Sequence, residues 1–315
     1  MERRLKRLPD QLYFSAILPI LSLLPKRISY DCARFLGRRL FRYEEATRNL
    51  MLEHLCQVFT RSGATQMDRE EVVLTFFQHL TCEDLDAYYY LRWSKEKLDR
   101  VFSFDGLHHL DEVLKRGRGA LLATGHFGAP CAALVGLGIK GYPITHVSRE
   151  YQSDPSIPSA FRAYSLDKLR RIERRIGSPL INAIGSDDLP SYQAVFQILK
   201  QLRRNQLVSM AIDVSPNLVE DGMGTRFLGR PSRFTSNLVR LATQSQTPII
   251  PYFIQRDGRD WSRFRISLRP PILMSGDIQA DLQVCVDHLE EVILKCPEQW
   301  FIWDSLSHFW QGNSG

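Results

Sequence analysis

The chain lacks an apolar run long enough to cross a bilayer. Its best candidate, "YFSAILPILSLLP", is apolar for about a dozen residues and is interrupted by Pro19, whereas an unaided helical span needs ~20. No small-residue cleavage pattern follows it, so a removable secretory signal is not expected. Cysteine is sparse and scattered: Cys32, Cys56, Cys82, Cys131, Cys285 and Cys296 include no C-x-x-C pair. That spacing argues against a zinc site or a disulfide framework and for a reducing compartment, with no metal and no cofactor expected. Internal repeats and low-complexity segments are absent as well. Charge of one sign does not dominate, since 41 Lys and Arg face 35 Asp and Glu for a net +6. This mild excess is no nucleic-acid-binding tail.

What is present is enough apolar material for a core. Of 315 residues, 44% are hydrophobic and 24% charged, the composition of a globular protein of one large or two modest domains. The basic residues concentrate in "MERRLKRLP", "PKR" and "GRRLFR" near the start and in "RAYSLDKLRRIERR" further on. Basic residues around a short apolar segment suit a helix lying on an anionic membrane surface; a buried core helix with a solvated basic face is the alternative.

Residues 1–100 read as a helical region that includes this membrane-associating segment. "DREEVVLTFFQHLTCEDLDAYYYLRW" spaces its apolar residues by three and four, with Asp68 as an N-cap candidate and Glu71 three residues later. Over residues 101–315 the texture changes. "GALLAT", "YPITHVS", "QLVSMAIDV", "TPIIPYFIQ" and "RFRISLRPP" are short strand-like runs, and "SYQAVFQILKQLRRN" and "RFTSNLVRLATQSQ" are helical patterns between them. Such alternation predicts an α/β domain with a central, mostly parallel β-sheet flanked by helices. "DLQVCVDHLEEVILKCPEQW" closes it with an amphipathic helix.

Within this frame His126 stands out. "GALLAT" reads as a buried strand and "GHFG" as the turn after it, and ligand crevices in such sheets open beyond the carboxyl ends of strands. Gly125 and Gly128 allow a sharp turn and a close approach to a ligand. Pro130 suits the first position of a helix, which puts Cys131 in the first helical turn, able to face the same pocket as His126.

"LLATGHFG" followed by a helix resembles the first motif of the lysophospholipid acyltransferase superfamily. The particular likeness is to the bacterial lipid A late acyltransferases, the lauroyl and myristoyl transferases. Further stretches carry the resemblance along most of the chain, in order: "RNLMLEHLCQVF", "FDGLHHLDEVLKRGRGALLATGHFG", "FQILKQLRRNQLVSMAID", "GTRFLGRPSRFTSNLVRLATQSQTPIIPYF" and "CPEQWFIW". The resemblance implies a glycerolipid acyltransferase-like fold. It also implies that His126 is a general base taking the proton of an acceptor hydroxyl or amine, which attacks an acyl thioester. The family motif then places an Asp or Glu where this chain has Cys131.

Three roles are open to Cys131. A thiol at a helix start beside an imidazole can ionise, and a cysteine–histidine dyad would accept the acyl chain before passing it on. Alternatively the thiol fills space while Asp213, which ends the strand "LVSMAI", or Glu150 orients His126. In the third case the site is slow or inactive. "VSREYQ" places Arg149 after a strand, resembling the family's phosphate-contacting arginine, and "GTRFLGRPSRFT" adds Arg226, Arg230 and Arg233 on a loop entering a helix, where guanidinium forks suit phosphate oxygens. Where the lipid A enzymes usually carry a basic "HRR", this chain has "DSLSHF", with Asp304 and His308, which weakens the case for a heavily phosphorylated acceptor.

Taken together, the residues and the resemblance predict an acyltransferase. Its donor would be an acyl carrier protein or CoA thioester, and its acceptor a lipid or a specialised metabolite. It would work at the cytoplasmic face of a bacterial inner membrane, peripheral or shallowly inserted. A Cys-His thioester hydrolase on the same fold and an inactive acyl-binding subunit are the alternatives.

Overall fold

The computed structural model describes residues 10–60, 67–148, 158–183, 192–215 and 222–311. The chain enters through α1 (Asp10–Leu12), a π-helical turn (Tyr13–Ile17) and α2 (Leu18–Leu21), followed by α3 (Lys26–Tyr43), α4 (Glu45–Phe59), α5 (Arg69–Arg92) and α6 (Lys95–Asp99). The remainder alternates: β1 (Phe102–Asp105), α7 (Leu107–Lys115), β2 (Ala120–Thr124), α8 (Pro130–Ile139), β3 (Ile144–Ser148), α9 (Ser159–Ile176), β4 (Ile181–Asn182), α10 (Tyr192–Arg203) and β5 (Leu207–Ala211). A hairpin of β6 (Gly222–Phe227) and β7 (Arg230–Thr235) leads to α11 (Asn237–Ser245), β8 (Ile249–Arg256), β9 (Phe264–Leu268) and α12 (Ile278–Lys295).

Seven strands form one sheet in the order β1-β9-β8-β2-β5-β3-β4. The neighbours β8, β2, β5, β3 and β4 are parallel, while β9 runs antiparallel to β8 and carries β1 parallel to itself. This is the mostly parallel α/β sheet that the alternating pattern predicts. Strand β2 is central, and all five of its residues are buried, because a strand covered on both faces needs apolar side chains on both. Leu121 and Ala123 pack into one core layer with α4, α10, α11 and α12, and Ala120 and Leu122 into the other with α8 and α9.

The N-terminal helices contribute to both layers. Helix α5 begins as its sequence predicts, with the Glu71 backbone N–H donating to Asp68 Oδ1 at 3.1 Å, which satisfies one of the free N–H groups of a helix start. Its acidic stretch then turns inward. Asp86 pairs with Arg256 of β8 and accepts from Tyr30 Oη at 2.5 Å. Glu83 pairs with Lys168 of α9, and Asp84 accepts from Tyr13 Oη at 3.2 Å. Buried carboxylates persist only when paired and hydrogen-bonded, and α5 meets this condition through partners on four other elements.

The first helical segment is therefore built into the fold. Phe14 stacks on Tyr164 at 4.8 Å between ring centroids, Tyr88 Oη donates to the Phe14 carbonyl at 2.9 Å, and Arg92 donates to the Ser22 carbonyl at 2.8 Å. Only its inner side is covered: Ile20 and Leu23 are 59% and 68% exposed, and Ile28 and Phe35 of α3 are exposed too. Among the described residues no helix is long and apolar enough to cross a membrane.

Candidate active site

Strand β2 ends at Thr124, and the chain turns through Gly125, His126, Phe127 and Gly128 before Pro130 starts α8. The two glycines are required by close packing of the protein on itself. A Cβ at Gly125 would lie 2.6 Å from Leu289 and 2.9 Å from Asp213 Oδ2, and one at Gly128, where φ is +67°, would lie 1.8 Å from the Ile254 carbonyl oxygen. The loop can thus settle onto β8 and onto the carboxylate of Asp213, which follows β5.

That carboxylate grips His126 twice. Asp213 Oδ1 lies 2.8 Å from the ring Nδ1, and Oδ2 accepts the His126 backbone N–H at 2.8 Å. A third donor, Trp300 Nε1–H, reaches Oδ2 at 2.9 Å. An ionised carboxylate only accepts hydrogen bonds, so the ring proton must sit on Nδ1 and the lone pair on Nε2. Asp213 is sealed from solvent, while the His126 side chain is 44% exposed. Burial opposes the charged form of His126, but the Asp213 charge and hydrogen bond outweigh it and raise its pKa above the usual histidine range. Asp213 shows the complementary shift: burial opposes its charge, yet His126 and the Trp300 and backbone donors hold its pKa below the usual carboxylate range. The two directions agree.

Trp300 belongs to a strap that clamps the loop. The Gly128 N–H donates to the Gln299 carbonyl at 2.7 Å, and the Phe301 N–H donates to the His126 carbonyl at 2.8 Å. Gln299 in turn binds the end of β8, its Oε1 accepting from the Arg256 N–H at 2.8 Å and its Nε2 donating to the Arg256 carbonyl at 3.2 Å. The stretch "PEQWFIW" therefore holds both the histidine loop and its carboxylate. Sequence reasoning used these residues only as part of a resemblance and did not assign Trp300 to the site. The available signal was generic: a buried indole N–H needs an acceptor.

Cys131 does stand in the first turn of α8, but it is not arranged as a thiolate beside an imidazolium. Its sulfur makes no hydrogen bond among the described residues, while the His126 ring is turned onto Asp213. Burial pushes the thiol pKa up, with Lys168 lowering it and Glu83 raising it. Desolvation outweighs the helix start on which the sequence expectation rested. The Glu83–Lys168 pair beside it is a second feature that the sequence did not single out.

The arginines do not converge as their spacing suggests. Arg226, Arg230 and Arg233 lie on an antiparallel hairpin and not on a loop. Arg226 and Arg233 are exposed on its outer face, whereas Arg230 is opposite Phe227 and sits over the Trp310 ring at 4.1 Å. Arg233 is engaged with the Gly222 carbonyl through Nε at 3.1 Å and Nη2 at 2.8 Å. Arg149 and Glu150 fall outside the described residues.

Comparison with known proteins gives this geometry a context. The chain is similar to the phosphatidylinositol mannoside acyltransferase of Mycobacterium tuberculosis strain CDC 1551 / Oshkosh, and equally to that of strain ATCC 25618 / H37Rv. In each case the two are 27% identical over 206 residues, covering 65% of this chain and 58% of the relative. The chain thus spans less than two thirds of the length of the curated relatives it matches. Its match to a whole family is far more extensive, running from residue 5 to residue 305, and by that match the chain belongs to the bacterial lipid A biosynthesis acyltransferase family.

Proposed function

We propose that the protein transfers an acyl chain from a thioester donor to a hydroxyl group of a lipid, with His126 as general base. The observation that carries this reading is the fixed tautomer of His126: Nδ1–H is committed to Asp213 at 2.8 Å, which leaves the lone pair on Nε2 of a partly exposed side chain. In the reaction the acceptor oxygen forms a bond to the thioester carbonyl carbon while its proton passes to Nε2. The tetrahedral intermediate then collapses, the C–S bond breaks, and the departing sulfur takes the proton from the imidazolium. Asp213 stabilises the imidazolium throughout, as the acid of a histidine-based triad does. It takes the orienting role that the resemblance assigns to the residue at position 131, so a direct transfer needs no acyl-cysteine.

The donor would be an acyl carrier protein or CoA thioester. The mycobacterial relatives are named for a phosphatidylinositol mannoside acceptor, and a membrane glycolipid is the acceptor class proposed here. Such a substrate is met at a bilayer surface. The exposed Ile20, Leu23, Leu24, Ile28 and Phe35, with Arg27, Arg38 and Arg39 also exposed on α3, suit shallow insertion among anionic headgroups. These exposed residues support a proposed location for the protein as a peripheral enzyme on the cytoplasmic face of the inner membrane. Incubation with acyl-CoA or acyl carrier protein and bacterial lipid extract, followed by lipid mass spectrometry, tests the reading. A lipid heavier by one acyl group supports it, and release of free fatty acid alone would make the protein a hydrolase.

A further inference from the structure

A second imidazole lies near the first. His146 is the middle residue of β3, and the sheet register sets it beside Ser209 of β5, which is level in turn with Leu122 of β2. Its Nδ1 is 3.0 Å from Ser209 Oγ, and that hydroxyl is 2.6 Å from Tyr252 Oη of β8. Tyr252 reaches across β2 to make this contact. Ser209 and Tyr252 are completely buried. Side chains of three strands, β3, β5 and β8, thus form one chain that orients the imidazole below the loop that carries His126.

We propose that His146 is a further catalytic residue whose Nε2–H donates a hydrogen bond to the carbonyl oxygen of the acyl thioester as that oxygen gains negative charge. The proposal rests on acyl transfer through His126. The direction of the hydrogen-bond chain follows from acidity. A phenol is its best donor and an imidazole nitrogen its best acceptor, so the protons run from Tyr252 to Ser209 to His146 Nδ1. The remaining ring proton is then on Nε2. That nitrogen has no side-chain hydrogen-bond partner among the described residues, and the residue is half-buried. Contrast His54, a packing histidine whose Nδ1 lies 2.6 Å from the Trp303 carbonyl oxygen and whose residue is buried. His146 spends one nitrogen on the wall and keeps the other for something that enters.

Its electrostatics suit a donor and not a second base. Burial, and then the neighbouring His126, push the His146 pKa down to about 4 against a backbone hydrogen bond to Ser209 that raises it, so the ring is neutral wherever His126 works. A neutral imidazole can polarise a carbonyl without competing for the proton that the base must take. It also gains strength as the oxygen becomes anionic, which makes its effect fall on turnover more than on binding.

The test compares His146→Leu, His146→Asn and His146→Gln in the full-length protein, following thiol release from palmitoyl-CoA in the presence of lipid vesicles. Gln can present an N–H near the position of Nε2, whereas Asn mimics only the Nδ1 side and Leu supplies neither. The expected result is a kcat lower by about 10²–10³ for Leu and Asn, an unchanged KM for palmitoyl-CoA, and recovery to within about tenfold in Gln. Unchanged kcat in a folded His146→Leu protein would overturn the proposal. So would equal losses in all three variants accompanied by a lower unfolding temperature, which mark a structural role. His126→Ala is measured beside them: full activity there removes the base and the acyl-transfer reading, whereas full activity in His146→Leu removes only this donor.

Discussion

Asp213 binds His126 through both of its carboxylate oxygens, one 2.8 Å from the ring Nδ1 and the other 2.8 Å from the backbone nitrogen of the same residue. Holding the ring and its main chain together fixes the position of the imidazole as well as its tautomer. Asp213→Asn would keep the size of the side chain but turn one acceptor into a donor. We expect kcat/KM to fall by about 10⁴, the cost of the corresponding change in a hydrolase triad, with circular dichroism unchanged.

The pH dependence follows from the same pair. His126 must be deprotonated to act, and Asp213 raises its pKa, so the acidic limb of kcat/KM should have its midpoint above the ordinary histidine value of about 6.5. Stability moves in the opposite sense. A raised His126 pKa contributes stability that is full below the unfolded-state value and is lost as pH rises through the folded value. The lowered Asp213 pKa contributes stability present above its unfolded value and lost as pH falls through the folded one. The difference in melting temperature between wild type and His126→Ala should therefore be largest in the mildly acidic range and shrink on both sides, measured by thermal denaturation at a series of pH values.

Trp300→Phe removes one of three donors to a sealed carboxylate and leaves most of the aromatic packing. A buried acceptor deprived of a partner costs about 1–3 kcal/mol, which chemical denaturation should reveal. Turnover should drop with it, because Oδ2 loses part of the support that holds Asp213 against the ring.

Cys131→Ala should retain near-normal turnover, since burial raises the thiol pKa and the ring that would activate it faces Asp213. Intact-protein mass spectrometry after exposure to acyl donor should show no adduct on the wild type. A stable mass increase lost in Cys131→Ala would restore the dyad.

The N-terminal face separates membrane attachment from folding. Leu23→Glu and Ile28→Glu alter exposed side chains and should weaken sedimentation with anionic vesicles at an unchanged melting temperature. Deleting residues 1–25 should instead lower that temperature, because it strips Phe14 from Tyr164 and a donor from the buried Asp84.

Strand β2, helices α5 and α12 and the loop at His126 were legible because their patterns are local: an apolar run between glycines, a helical spacing behind Asp68, a histidine at a strand end. The β6–β7 hairpin was not. Its strands are broken by Gly222, Gly224, Arg226 and Pro231, and its turn puts Leu228 at φ +50°, where a sequence signal would be Asn or Asp. Asp213 was a named alternative, since it too ends an apolar strand. Its bond to Trp300 was not legible, because nothing in a sequence says which of many carboxylates an indole 87 residues away will meet. Cys131 was placed correctly in its helix, yet its ionisation depends on burial by α5 and α9, which no local pattern reports.

The most direct test of acyl transfer through His126 is the activity of folded His126→Ala, measured as acylated lipid by mass spectrometry with melting temperature as the control. The expected result is a loss of at least about 10²–10⁴, the contribution of a positioned general base, in a protein that still unfolds cooperatively. Acylated lipid formed at the wild-type rate by that variant would contradict the assignment of His126 and the mechanism built on it.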